Sequence, residues 1–123
     1  MSEAAARAVL QAHIDALNAH DELAIARTLH FPHIRLSGSD LQIWDTSDTY
    51  FDDFRARAQS DWARSGVRDV QLSQAADTKV HLDAEITRFD ANGALIASFR
   101  SLWIITLENG FWAAKLRSSF AKL

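Results

Sequence analysis

Apolar residues recur at helical spacing early in the chain and give way to alternation after Pro32. Over residues 3–18, Leu10, Ile14 and Leu17 fall at i, i+4 and i+7, and Ala6 extends the stripe. That spacing lines one face of an α-helix. Asp21 can N-cap a second short helix carrying Leu23, Ile25, Ala26 and Leu29, since a carboxylate there accepts from free backbone N–H groups. Pro32 disfavours helical geometry at Phe31 and stops that helix. His33 to Ser37 and Leu41 to Asp45 then alternate about Ser37-Gly38-Ser39-Asp40, which predicts a short hairpin.

Ser47 and Asp48 open a third helix, with Phe51, Phe54, Ala58 and Trp62 at i, i+3, i+7 and i+11 and Gly66 suited to its C′ position. From Val67 the pattern becomes strands, over 67–75, 79–89, 95–107 and 111–121. The turn signals between them are Asp77-Thr78, Asp90-Ala91-Asn92-Gly93 and Glu108-Asn109-Gly110. The last two contain Asn-Gly, whose residues tolerate the positive φ of tight hairpins. The expected product is one α+β domain over 1–123: helix, helix, two short strands, helix, four long antiparallel strands.

Composition narrows the function classes. A chain of 123 residues can bury a core unaided. It has no cysteine, which removes disulfides, thiolate zinc sites and cysteine nucleophiles. The net charge is −3 with the basic residues scattered, so the positive field that nucleic-acid binding requires is missing. No apolar run approaches the roughly 20 residues that span a bilayer. Met1-Ser2-Glu3-Ala4 begins no basic-then-apolar leader, so a cytoplasmic protein with no membrane partner is expected.

The order of elements covers nearly the whole chain and resembles the nuclear transport factor 2-like superfamily, in which a cone-shaped, curved antiparallel sheet packs against three helices. Within it, Ala16-Leu17-Asn18-Ala19-His20-Asp21 resembles the first helix of ketosteroid isomerase and SnoaL-type relatives. The segment Trp112-Ala113-Ala114-Lys115-Leu116-Arg117-Ser118-Ser119-Phe120-Ala121 is similar to the last strand of bacterial SnoaL-like proteins without an assigned reaction. The isomerase resemblance implies a tyrosine where His13 stands, a carboxylate base at Ser37 and a protonated aspartate at about Leu102. Two of those groups are missing and the third is replaced, which argues against that mechanism. A limonene-epoxide-hydrolase reading needs an Asp-Arg-Asp arrangement, and Arg100-Ser101-Leu102 supplies the arginine alone.

The remaining candidates carry two readings each. His13 lies near the apolar stripe of the first helix, as a pocket donor or acid/base, or as a core-edge histidine bonded to backbone. Arg88 continues the apolar phase of Val80, Leu82, Ala84 and Ile86, so it either lies in a cavity facing a carboxylate or enolate oxygen, or snorkels at a strand end. Trp44, Trp62, Trp103 and Trp112 come from four elements, as walls of a pocket or as packing. Asp83 and Glu85 share a strand face opposite the apolar phase, as an acid/base pair or a solvated face. His20, His30 and His33 show no recognised ligand spacing, so no metal is expected, and no other cofactor. Arg117 shares its phase with Lys115 and Ser119, placing it on the second sheet face unless a bulge reverses it.

Both phases of 99–107 are apolar, with Phe99, Trp103, Ile105 and Leu107 on one and Leu102 and Ile104 on the other. A strand buried on both faces needs cover on both. Helices cover the concave side, so a homodimer through the convex sheet face is expected. Two functions follow. The first is a SnoaL-like pocket for a small apolar oxygenated ligand, with proton transfer, isomerisation or cyclisation as its reaction class. Its catalytic residues would be His13 and Arg88, and its ligand-binding residues Trp44, Trp62, Trp103 and Ser37. The second is a non-catalytic dimerisation or interaction module whose cavity is filled by its own side chains.

Overall fold

A computed structural model describes residues 2–121. Helix α1 spans Ser2–Ala19 and buries Ala6, Leu10, His13, Ile14, Ala16 and Leu17. It ends at His20, whose φ of 53° is left-handed, and the Asp21 N–H bonds back to the Ala16 carbonyl at 3.1 Å. Asp21 then caps α2, Glu22–Arg27, by accepting from the Ala24 N–H at 3.1 Å.

Helix α2 stops short of Leu29, which enters strand β1, Leu29–Ser37. Pro32, expected to precede the first strand, therefore lies inside it. The ladder to β6 shifts register between Leu29 and Ile34 and the ladder to β2 begins at His33, so the missing proline N–H costs neither ladder a bond. Strand β2 is Asp40–Trp44 and helix α3 is Ser47–Ala58, with Thr46 as its N-cap. The helix caps at Gln59, earlier than the apolar spacing to Trp62 implied. Trp62 sits in the following link, and Gly66 lies within strand β3, Arg64–Ala75, rather than at a helix end. The glycine is needed there for a different reason: a Cβ at Gly66 would come within 2.7 Å of the Thr87 Oγ1.

Strands β4, Lys79–Phe89, and β5, Leu95–Glu108, follow where expected, and β6, Phe111–Ser119, stops two residues before the expected end. Asn109 and Gly110 both take positive φ, 54° and 85°, in the turn between β5 and β6. The sheet order is β2-β1-β6-β5-β4-β3. All neighbours are antiparallel except β1 and β6, which run parallel. The sheet is thus mixed, where alternation alone suggested antiparallel pairing. Periodicity reports which face a residue occupies but not which strand lies beside it.

Helix α1 crosses the concave face, against β3, β4, β5 and β6. The core between them includes Val80, Leu82, Ala84, Ile86, Trp103, Ile105 and Ala114. One irregularity decides which side chains enter it. Ile105 pairs with Ala114 and Ile104 with Leu116, leaving Lys115 as an extra residue in β6. That bulge reverses the phase of the strand, so Ala114 and Arg117, three residues apart, are both buried on the concave side. Arg117 accordingly points inward and is not on the second face.

The convex face divides in two. Across β3, β4 and β5, Arg68 pairs with Glu85 at 2.7 Å, and Arg100 pairs with Asp83 at 2.7 Å and Asp69 at 2.9 Å. Asp83 and Glu85 are therefore surface ion-pair partners, not an acid/base pair, and Arg100 faces away from any pocket. Across β2, β1, β6 and β5 the register lines up Ile43, Ile34, Leu116 and Ile104 in one apolar row.

Candidate functional site

The concave face holds a small chamber under α1, lined by residues from α1, α3 and every strand except β2. Its volume is about 30 Å³, room for about two waters at roughly 10–15 Å³ each. Arg35, Arg57 and Arg88 line it and also line a wider vestibule of about 480 Å³, whose walls include Trp44, Trp62 and Ile96. The two spaces meet at these arginines.

His13 reaches the chamber from the buried stripe of α1. Its Nδ1 lies 2.7 Å from the Thr28 Oγ1, and that hydroxyl donates its own proton to the Ile25 carbonyl at 2.7 Å. The hydroxyl is then an acceptor toward the ring, so the proton sits on Nδ1 and Nε2 keeps a free lone pair. Nε2 is buried with no partner in the protein. Burial, reinforced by Arg117, His33, Arg57 and Arg35, holds the imidazole well below its ordinary pKa, so His13 is neutral. The ring meets Trp103 edge to face at 5.2 Å.

Arg117 is 7% exposed and lies with its guanidinium 5.1 Å from the Trp103 ring centroid. Its Nε donates to the His33 Nε2 at 3.1 Å, while the His33 Nδ1 donates to the Ala114 carbonyl at 2.9 Å. His33 is thereby fixed neutral. Burial first, then Arg117, bring its pKa down to about 2, against the bond to Ala114 that favours the charged ring. Arg117 also lies directly beside Arg35 in the parallel register of β1 and β6. Arg35 donates from Nε to the Ser37 Oγ at 2.9 Å. Burial and the neighbouring arginines lower Arg35 to about 8 and Arg88 to about 10, and Arg88 rests 4.8 Å over the Phe99 ring. Burial alone would raise the Tyr50 phenol, but Arg117, Arg57 and Arg35 outweigh it and leave the group below its ordinary value.

The sequence candidates divide accordingly. His13, Arg88 and Trp103 line the chamber, and Trp44 and Trp62 line the vestibule. The tryptophan N–H groups are anchored there, Trp44 on Asp53 at 2.6 Å and Trp62 on Ser65 at 2.8 Å. Ser37 is buried but lines neither space, since it sits behind Arg35 as a hydrogen-bond acceptor. Sequence reasoning left the face of Arg117 conditional on a bulge, weighed His33 only as a metal ligand, and did not single out Arg35, Arg57 or Tyr50. The signal for two of them was present, because His33 and Arg35 alternate with Ile34 and Leu36 along β1. Here the polar phase faces inward. His20 packs on Phe54 and Trp62, and His30 bonds the Thr106 carbonyl at 3.0 Å, so the histidines around α2 do not converge.

No family model and no curated protein sequence matches the chain. Solved structures do match it along nearly its full length. A protein of unknown function with a cystatin-like fold from Nostoc punctiforme superposes with a TM-score of 0.80 at 12% identity, over 95% of this chain and 88% of that one. A nuclear transport factor 2-like protein of unknown function from Shewanella oneidensis gives 0.80 at 8% identity, over 97% and 98%. A ketosteroid isomerase-like protein from Erwinia carotovora atroseptica gives 0.73 at 15% identity, over 94% and 92%. The chain has the nuclear transport factor 2-like fold.

Proposed function

We propose that the protein binds a small, partly apolar, oxygenated molecule on its concave face, with His13 and Arg88 as polar contacts and Trp44, Trp62 and Trp103 as walls. One observation carries this reading. Among the described residues, the buried side-chain polar atoms without a well-formed hydrogen bond are His13 Nε2, Trp103 Nε1, Tyr50 Oη and Arg117 Nη2, and the last two residues lie within bonding reach of each other. Three of the four residues line the chamber, and Tyr50 packs between Trp44 and His33 beside it. Folded proteins pair the large majority of such groups, so His13 Nε2 and Trp103 Nε1 around one cavity mark a place where water or a ligand's polar atoms supply the partners.

Binding is favoured over turnover by the state of His13. As a reaction class, proton transfer next to a carbonyl suits the arrangement: the Nε2 lone pair takes a proton while Arg88 stabilises the enolate oxygen. The lowered basicity of His13 makes it a weak base, however, and the chamber lining offers no carboxylate in its place. The alternative of a self-filled interaction module draws on the small inner chamber, but the vestibule of about 480 Å³ speaks against it.

Native mass spectrometry of freshly purified protein tests the reading. Extra small-molecule mass on the folded chain, lost on substituting Arg88 or His13, is the expected result. Binding of oxygenated apolar compounds that is unchanged in Arg88→Ala and His13→Ala would remove both assignments. The same measurement counts subunits. We read the apolar row Ile43, Ile34, Leu116 and Ile104 as the seat of an isologous homodimer.

A further inference from the structure

The chamber's arginines lack counter-charges. Arg35, Arg57, Arg88 and Arg117 line it together, and none of its lining residues is an aspartate or glutamate. Among the described residues, none of the four takes part in an ion pair. The hydrogen bonds that Arg35 and Arg117 make go to neutral acceptors, the Ser37 hydroxyl and the His33 ring. The same chain pairs its convex arginines with acids, Arg68 with Glu85 and Arg100 with Asp83 and Asp69. A carboxylate does line the vestibule, that of Asp53, one turn before Arg57 on α3; its Oδ2 accepts from the Trp44 indole at 2.6 Å, and it forms no ion pair with any of the four arginines. The overall charge of −3 is thus inverted locally into a cationic pocket.

Burying unpaired cations is costly, and buried charges are ordinarily paired or bound to ions. A structural role would be met at less cost by the kind of pairing seen on the convex face. The fork of a guanidinium matches the two oxygens of a carboxylate, and the chamber has room for about two water-sized atoms. A phosphoryl group has three terminal oxygens to place, one more than the chamber's roughly two water-sized positions. Trp44 and Trp62 line the vestibule outside the arginines, where an apolar body would lie.

We infer that the ligand is a monocarboxylic acid held head-first, its carboxylate among Arg35, Arg88 and Arg117 in the chamber and its apolar or aromatic body in the vestibule beside Trp44 and Trp62. The inference rests on the ligand-binding reading above and adds the charge and orientation of the ligand.

Titration calorimetry at fixed ionic strength tests it, using acids of increasing body size against their neutral amides: hexanoate, benzoate and phenylacetate with hexanamide, benzamide and phenylacetamide. At least one acid is expected to bind tenfold or more tighter than its amide. Arg88→Gln is expected to weaken that acid at least tenfold and leave the amide unchanged, whereas Arg68→Gln on the convex face alters neither. Amides that bind as tightly as their acids would overturn the charge assignment and leave the pocket standing. Inorganic phosphate that displaces a bound acid at equal concentration would overturn the carboxylate assignment in favour of a phosphoryl group. A panel in which neither acids nor amides bind overturns both readings.

Discussion

At the scale of single residues, the buried histidines tie stability to pH. His33 titrates at about 2 in the folded protein and near 6.5 once unfolded. Below that value the unfolded chain takes up a proton that the native chain refuses, so stability falls as the pH falls. At pH 5 the loss from His33 alone is about 2 kcal/mol, and His13, lowered in the same sense, adds to it. Denaturant titrations at pH 7 and pH 5 check this, and equal stability at both would contradict two neutral buried rings. Arg88 gives the opposite lesson. Removing one of several like charges relieves repulsion, so Arg88→Gln is expected to stabilise the ligand-free protein by about 1 kcal/mol, read from urea melts of dialysed samples. A loss of stability would mean that the stacking on Phe99 outweighs the repulsion. His13 and Arg88 were legible in the sequence because each stood on an apolar phase where a polar group demands a reason. Arg35 and His33 were not, because on β1 the polar phase is the buried one and the apolar Ile34 and Leu36 face outward, the reverse of the usual expectation for a half-buried strand.

Elements were read well where chemistry is local and poorly where it is not. The cap at Asp21 and the Asn109-Gly110 turn depend on hydrogen bonds and φ angles within a few residues, and both stand where they were expected. Gly66 was taken for a helix terminus because glycine suits that place, yet its role is to let β3 lie close over Thr87. Gly66→Ala should therefore destabilise by about 1–3 kcal/mol through overpacking, and adding Thr87→Ala should recover part of the loss by removing the opposing Oγ1. A thermal-melt cycle across the two single variants and the double checks it; strictly additive losses would show that the two sites do not press on each other. The bulge at Lys115 was allowed for in the sequence but could not be located there. No residue preference announces an extra residue in a strand, and one such insertion moved Arg117 from the convex to the concave side.

For the whole molecule, the convex face separates into an ion-paired half and an apolar half, and only the second asks for cover. Leu41 is 62% exposed and Ile43 is 56% exposed at its β2 end, where substitution leaves the core untouched. Light scattering at micromolar concentration should find a dimer for the parent protein and a monomer for Leu41→Lys combined with Ile43→Lys. A monomeric parent would retire the interface. The fold class was readable at this scale because the order of helices and strands spans the whole chain. The mixed pairing was not, since nothing in β1 or β6 names the other as neighbour.

That parallel pairing has a consequence for how the protein comes into being. Strand β1 has its partner β6 at the far end of the sequence, so the contact that closes the sheet is among the longest-range in the molecule and belongs to its slow steps. On the ribosome, the elements carrying His13, Arg35, Arg57 and Arg88, which are α1, β1, α3 and β4, emerge before the strand carrying Arg117 is made. The wall of the chamber is therefore completed last, when the final hairpin brings in Arg117 and Ser119.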